Sequence, residues 1–465
     1  MIKKFKWPII IFIVALAARL LVFILLLSSG DERAIVTGDG AKYIRLAESL
    51  ANGLGYSDDE GFGRRPEAYR PPGYPLYLSF FLYRGLPLEV ASLVQIIISA
   101  LIPVTLFLFA ANLKDISPWT VRLAGFFAAI EPLQVWYSVV LVADVFFSLL
   151  LLGALLLLLN WLNSQKVVSV LIAGALLGLA GYFRPVGLYL SIFLAMSFIL
   201  YFLLKKTFSR QKFLHLVFFI LATWVVVIPW QINNFYVWGT FSFSSLGVSN
   251  FYDFAAPAIL SIEQNRPFDD VNTELRDRFK KEAPDPLYVE SFKNEDYILT
   301  QVFNLIKKYP WSYVKGYFLG VNTLLFSGNY HFMLQRYNVI EAPKDNLSYS
   351  LILAQEGFLA LVKKILETVN TPYGFVALSG KIGWVILTSG AIMEALRRRK
   401  ESLGFFFLVI LAYFILANIP MALSIEGRHR YALNPLIFLL FLSLYHRIFS
   451  GRVSLSKRLD SKLSS

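Results

Sequence analysis

Five short stretches of this 465-residue chain place ionisable residues where the surrounding sequence is apolar or stiff. In Thr37-Gly38-Asp39-Gly40-Ala41-Lys42-Tyr43, a spacing of four sets Asp39, Tyr43 and Ala47 on one face of a helix beginning near Asp39. The carboxylate is then either a proton acceptor above a phenol or the cap of that helix. From Arg64 to Leu76, four prolines stiffen the backbone and hold Arg70 where the chain re-enters apolar sequence. A guanidinium fixed there suits an anion, and a membrane interface supplies phosphate; the plain alternative is an arginine snorkelling to lipid. The third stretch runs through Glu131-Pro132 and Tyr137-Ser138 to Asp144, a carboxylate inside an apolar run, where charge is expensive. Arg184, in Gly181-Tyr182-Phe183-Arg184-Pro185, and Arg428, in Glu426-Gly427-Arg428-His429-Arg430-Tyr431, complete the set. Each arginine alone suits an interface anchor; together they suit an anion site.

Other chemistries are closed to the chain. It has no cysteine, which excludes disulfides, thiolate nucleophiles and Cys-ligated metals. His215, His331, His429 and His446 show no paired ligand spacing, so carboxylates are left as metal ligands or proton acceptors.

The elements that must position these groups are membrane helices. Apolar residues make up 57% of the chain, charged residues 16%, and the mean hydropathy is 0.58, which excludes an ordinary cytosolic enzyme. The net charge of +13 comes from basic residues in short loops rather than on one soluble face, which speaks against a nucleic-acid partner. Apolar runs cover the N-terminal segment to about Leu27 and residues 87–111, 119–134, 138–160, 167–183, 186–204, 213–232, 373–396, 404–423 and 431–448. Residues 310–328 and 348–362 are interrupted by Lys315, Asn322 and Glu356, so the expectation is an all-α polytopic bundle of ten to twelve spans with helical outer loops. The basic clusters Lys3/Lys4/Lys6, Lys205/Lys206/Arg210/Lys212, Arg397–Lys400 and Arg447/Arg452/Lys457/Arg458 predict a cytoplasmic face carrying both termini. All five stretches then fall outside. The expected organisation is a core over 1–232 that includes outer loop 30–86, an extracytoplasmic or interfacial region over 233–370, and C-terminal spans with a basic tail over 371–465. The charged stretch 265–295 is expected to be partly mobile over short amphipathic helices.

At these residues the chain resembles the GT-C integral-membrane glycosyltransferases, in the branch of protein O-mannosyltransferases and lipid A aminoarabinose transferases. The resemblance rests on Asp39 and Tyr43, Ala47, Gly53 to Gly55, Arg70-Pro71-Pro72-Gly73-Tyr74-Pro75-Leu76, Pro132 to Asp144, Arg184-Pro185 and Arg428 to Pro435. It covers the first ~190 residues well, the C-terminal end loosely and residues 233–370 hardly at all. It implies that Asp39 is the catalytic carboxylate and Asp144 the second acidic position, with Arg70, Arg184, Tyr43 and Arg428 meeting a donor phosphate. Glycines flank Asp39 where the mannosyltransferases have a second acidic residue, so any divalent cation would be shared by Asp39 and Asp144. The implied activity is transfer of a sugar from a polyprenyl-phosphate donor to a lipid, glycan or protein acceptor, with inversion, in the bilayer. A transporter or flippase of anionic lipids is the alternative, and would place its charges near the midplane. An O-antigen ligase or polymerase and a membrane scaffold are the remaining readings.

Overall fold

The computed structural model describes residues 2–28, 34–59, 63–114, 116–341 and 349–463. The side chains of Lys3, Lys4, Arg452, Lys457 and Arg458 lie outside what is described.

The protein is an integral membrane bundle of helices. Lys6–Ser28, Leu88–Ala111, Asp144–Ser164, Pro185–Leu204, Arg210–Trp238, Pro372–Arg397 and Gly427–Phe449 have the length and apolarity to cross a bilayer. Val167–Phe183 and Ser402–Ala417 are shorter apolar helices packed among them. The 21 residues of Asp144–Ser164 reach about 31 Å, the thickness of the hydrocarbon core. This helix is apolar all round, as a helix enclosed by others must be, and Leu151, Leu155 and Leu158 are fully buried. Arg210–Trp238 lies at the edge, where Leu221, Val225 and Ile228 remain exposed to lipid. The strand content among the described residues is one two-residue ribbon, Ser57–Asp58 against Arg65–Pro66.

Two apolar runs divide differently from their sequence. The run 119–134 ends as a helix at Ile130, because Glu131-Pro132 starts a new short helix, Pro132–Val139, whose amide at Gln134 is capped by the Glu131 carboxylate at 2.8 Å. The run 138–160 is not one helix. It leaves helical geometry at Val140 and resumes at Asp144, which is the first residue of its span rather than a residue a turn or two inside it. Irregular backbone survives in an apolar interior only if its polar groups find partners. Gln95 donates to the carbonyls of Ser138 and Val140 at 3.0 and 2.8 Å, Ser92 donates to that of Val139 at 2.7 Å, and the Leu141 amide donates to the Ile35 carbonyl at 2.8 Å. Elsewhere in the interior, Arg19 serves as polar glue. Fully buried, it donates to Ser99 Oγ at 2.8 Å and to the carbonyls of Ala15 and Ala129 at 2.9 and 2.8 Å, joining three helices.

The two ends of the bundle differ in chemistry. At one, Lys205 donates to the Lys400 carbonyl at 2.7 Å, and the buried Glu394 carboxylate gathers Arg397, Arg398 and, at 3.3 Å, Arg447. Members of three of the four clusters seen in the sequence thus meet at one end. The other end carries the loops around 34–86, 239–309 and 418–433. The charged stretch from 265 is folded there: helix Phe268–Glu282 packs Val271, Leu275 and Phe279 against Tyr252, Ile298 and Val302. It forms a small apolar cluster of its own where a partly mobile segment was expected.

Helix Gly73–Tyr83 is laid directly on the end of Val167–Phe183. A Cβ on Gly73 would stand 2.6 Å from the Tyr182 carbonyl oxygen, closer than real contacts allow. Gly73→Ala should therefore push this helix away and lower the thermal midpoint in detergent, by roughly 1–3 kcal/mol of overpacking. Thermal unfolding of the purified variant checks this.

Candidate functional site

The five stretches separated by up to hundreds of residues end in one cavity at the loop end of the bundle. Gly38 adopts φ +50°, turning the chain so that Asp39 heads helix Gly40–Ala51. Asp39 stands at the cap position, yet its carboxylate makes no capping hydrogen bond; it is turned to the arginines instead. Pro71 and Pro72 bring Arg70 in beside it, and Arg184 follows the last turn of Val167–Phe183, held in extended conformation ahead of Pro185. Asp144 sits in the first turn of its span, where the helix dipole favours a carboxylate. Arg428 belongs to the tight 3-10 segment Gly427–Leu433.

These side chains form an alternating chain of charge, Arg70–Asp39–Arg428–Asp144–Arg184. Arg70 Nη2 reaches Asp39 Oδ1 at 2.7 Å, and Arg428 Nη1 lies 3.2 Å from Asp39 Oδ2. The same Arg428 donates to Asp144 Oδ2 through Nε at 3.1 Å and Nη2 at 2.7 Å, and Arg184 bonds Asp144 Oδ1. Arg428 is thus the central member, joining both carboxylates. Its guanidinium also lies 5.6 Å from the Tyr137 ring, and that of Arg70 lies 5.5 Å from Tyr43 and 4.6 Å from Tyr69. Tyr43 acts through its ring face here. Two residues from Arg428, Arg430 has a different fate: it is buried, 3.8 Å over Trp384, donating to the Ser327 carbonyl at 2.6 Å.

The two carboxylates differ in access. Asp144 keeps 1% of its side chain exposed and Asp39 28%. Only Asp39 is placed to meet an incoming molecule. Burial opposes its charge, but Arg70, Arg428 and Arg184 outweigh burial and hold its carboxyl well below the usual carboxylate range. Three guanidiniums against two carboxylates leave the five-membered chain with one positive charge, along the wall of a cavity of about 100 Å³. Each of the four carboxylate oxygens already faces a guanidinium, and among the described residues no three His, Asp or Glu side chains gather as a metal-ligand set. As arranged, this donor set suits an anion; a divalent cation shared by Asp39 and Asp144 would have to displace guanidiniums from both.

The cavity brings together all six residues singled out in the sequence and adds others. His429, Asn418 and Met421 come from the segment around Arg428, and Leu246 and Asn250 from the region 233–309. His429 lay within a motif already noted; Asn250 and Leu246 carry no local signal, because only the folding of their segment over the cavity brings them in.

No protein-family model matches the sequence, and no curated protein matches it. Solved structures do. The crystal structure of the Archaeoglobus fulgidus oligosaccharyltransferase in the apo form matches with a TM-score of 0.52 and 15% identity, covering 100% of this chain and 52% of that one. The crystal structure of the same oligosaccharyltransferase tethered through a disulfide bond to an acceptor peptide containing the NVT sequon gives 0.53 and 14%, covering 98% and 51%. This chain spans about half the length of the structures it matches. The likeness is one of fold, and the fold is the GT-C architecture expected from the sequence.

Replacing Arg428 by Gln leaves both carboxylates short of a counter-ion and should cost on the order of 3 kcal/mol, read as a lower thermal midpoint. Asp39 has a depressed carboxyl in the folded protein, so its contribution to stability is complete above the unfolded value of about 3.9 and is lost as pH falls through the lower folded value. The difference in thermal midpoint between the parent and Asp39→Asn should be flat from neutral pH to about 5 and narrow below about 4.

Proposed function

We propose that this chain is a membrane glycosyltransferase that moves a sugar from a polyprenyl-phosphate donor to an acceptor on the extracytoplasmic side. The observation that carries the reading is the five-membered charge chain with its surplus of one positive charge. A sugar linked to polyprenyl phosphate is a phosphodiester with one negative charge, which that surplus balances. Its tail belongs in the bilayer and its sugar in water, and the cavity lies where the spans meet the loops. The meeting of basic residues from three clusters at the opposite end supports an outward-facing cavity; both termini on the cytoplasmic side is our reading from the sequence. The matching fold of an oligosaccharyltransferase solved with a tethered acceptor peptide supports the reaction class. Transfer of a single sugar, as in the O-mannosyl and aminoarabinose branch, is our reading from Asp39, Tyr43 and the Arg70–Leu76 motif. Charges gathered at the span ends favour chemistry at the surface over the passage expected of a transporter.

The donor phosphate takes Arg70 and Arg184 first, because each pairs with one carboxylate while Arg428 is tied to both. As the phosphate draws Arg70 away, Asp39 loses a counter-ion and gains affinity for a proton. Asp39 then accepts the proton of an acceptor hydroxyl or amine. The acceptor atom bonds to the anomeric carbon while the bond from that carbon to the phosphate oxygen breaks, the electron pair leaving with polyprenyl phosphate. Attack from the face opposite the leaving group inverts the anomeric centre. Asp144, enclosed between Arg184 and Arg428, orients both and keeps them charged and in place. Acceptor choice resides in the region 233–370, which brings Leu246 and Asn250 to the cavity wall.

Release of polyprenyl phosphate from a polyprenyl-phosphate sugar by the purified protein tests the proposal. Asp39→Asn should lower transfer by about 10²–10⁴-fold with folded yield retained, the range for a general base. Arg184→Gln should lower it by about 10–100-fold, the worth of one charge-assisted bond. A chelator should leave the parent rate unchanged. An Asp39→Asn enzyme with most of its activity rules out the base.

A further inference from the structure

The stretch that delivers Arg70 has no regular secondary structure, yet none of its backbone is left to water. The Ala68 amide donates to Tyr288 Oη at 3.1 Å, and its carbonyl accepts from the Ser245 amide at 3.0 Å. The Tyr69 carbonyl accepts from Ser244 Oγ at 2.5 Å, and the Arg70 carbonyl from Tyr56 Oη at 2.9 Å. The two remaining amides, of Tyr69 and Arg70, both donate to a single atom, Glu67 Oε1, at 2.8 and 2.6 Å. Glu67 is only 2% exposed. A carboxylate so enclosed needs a cation, and Lys42 Nζ lies 3.4 Å from its other oxygen, Oε2. Lys42 also pairs with Glu290 and sits over the rings of Tyr69 and Tyr288 at 5.4 and 5.9 Å.

Lys42 and Asp39 belong to the same first turn of one helix. That helix therefore grips the Arg70 stretch twice: Asp39 takes the guanidinium, and Lys42 takes the carboxylate that holds the Arg70 amide. The Nε of Arg70 is buried without a hydrogen-bond partner, so the guanidinium is aimed by its backbone, by Asp39 and by the rings of Tyr43 and Tyr69, with a donor to spare. Nothing in the reaction requires Glu67 to touch substrate. Its position requires it to set the point from which Arg70 projects.

We propose that Glu67, paired with Lys42, which Glu290 holds in turn, is a positioning residue that fixes the backbone of residues 69 and 70 and so presents the Arg70 guanidinium to an anion. The segment 244–290 then serves the anion site as well as its own cavity wall, because Ser244, Ser245, Tyr288 and Glu290 complete the clamp. The anion being a donor phosphate rests on the function proposed above; the fixing of the backbone does not.

Two measurements on the full-length protein in nanodiscs test this. Hydrogen exchange of peptides covering residues 64–72 should be at least about tenfold faster in Glu67→Gln than in the parent, since a neutral amide holds two N–H donors less tightly than a carboxylate. Peptides from Asp144–Ser164 should not change. Glu290→Gln, at a partly exposed site that tolerates the change, should move the same peptides in the same direction by less. Binding of undecaprenyl phosphate should weaken by about tenfold in Glu67→Gln and in Arg70→Lys, and the double variant should bind no worse than Arg70→Lys, because one residue acts through the other. Unchanged exchange at 64–72, or losses that multiply in the double variant, would overturn the positioning role. A parent that does not bind undecaprenyl phosphate overturns the phosphate reading instead, and the exchange measurement then decides the role of Glu67 by itself.

Discussion

Two carboxylates at the edge of a lipid bilayer stay ionised only beside cations, and this requirement organises the loop end of the protein. Asp39 and Asp144 stand at the starts of different helices, and the three guanidiniums that face them come from an irregular stretch before one helix, the extended residue after another and a 3-10 segment. No pair of neighbours in the sequence satisfies the requirement locally. The fold must close for the charges to be neutralised, and the charges in turn hold the loop after the first span, the start of one apolar helix, the end of another and the approach to the last in mutual register. Arg428 matters most to this closure because it alone touches both carboxylates.

The same economy of polar groups explains the irregular backbone around the cavity. The helical run is broken between Val139 and Asp144, with every residue of the break buried. The break carries the chain across the base of the cavity, and Ser92 and Gln95, unremarkable in sequence, make it affordable by covering the exposed carbonyls. Opposite this break, the Arg70 stretch is covered in the same way by side chains from residues 244–290. Both walls of the cavity are therefore rigid without being helical, which suits a site whose groups must be aimed before a substrate arrives.

Much of this was legible in the residues themselves. Charge inside or beside apolar runs is costly enough that Asp39, Arg70, Asp144, Arg184 and Arg428 stood out one by one, and all of them, with Tyr43, meet. What could not be read was which group pairs with which. Arg428 and Arg430 are chemically alike and two residues apart, and only the packing of Trp384 and the carbonyls of Leu324 and Ser327 makes Arg430 a buried strut. The break at Val140 was hidden because an extended apolar stretch and a helical one look the same by composition alone. The segment from 233 to 309 was hardest to read, since its contribution depends on tertiary contacts such as Lys42 with Glu290, 248 residues apart.

Under the reaction proposed above, the surplus positive charge of the five-membered chain also bears on turnover. A phosphodiester matches it, but once the sugar has gone the lipid carries a monoester whose second ionisation lies near pH 6, so the spent carrier is the more strongly charged of the two. A cavity built in this way holds its product at least as firmly as its substrate. Under that reaction, departure of the carrier is the slow step to expect, and lipid phosphate accumulating in the membrane would compete with the donor for the same guanidiniums.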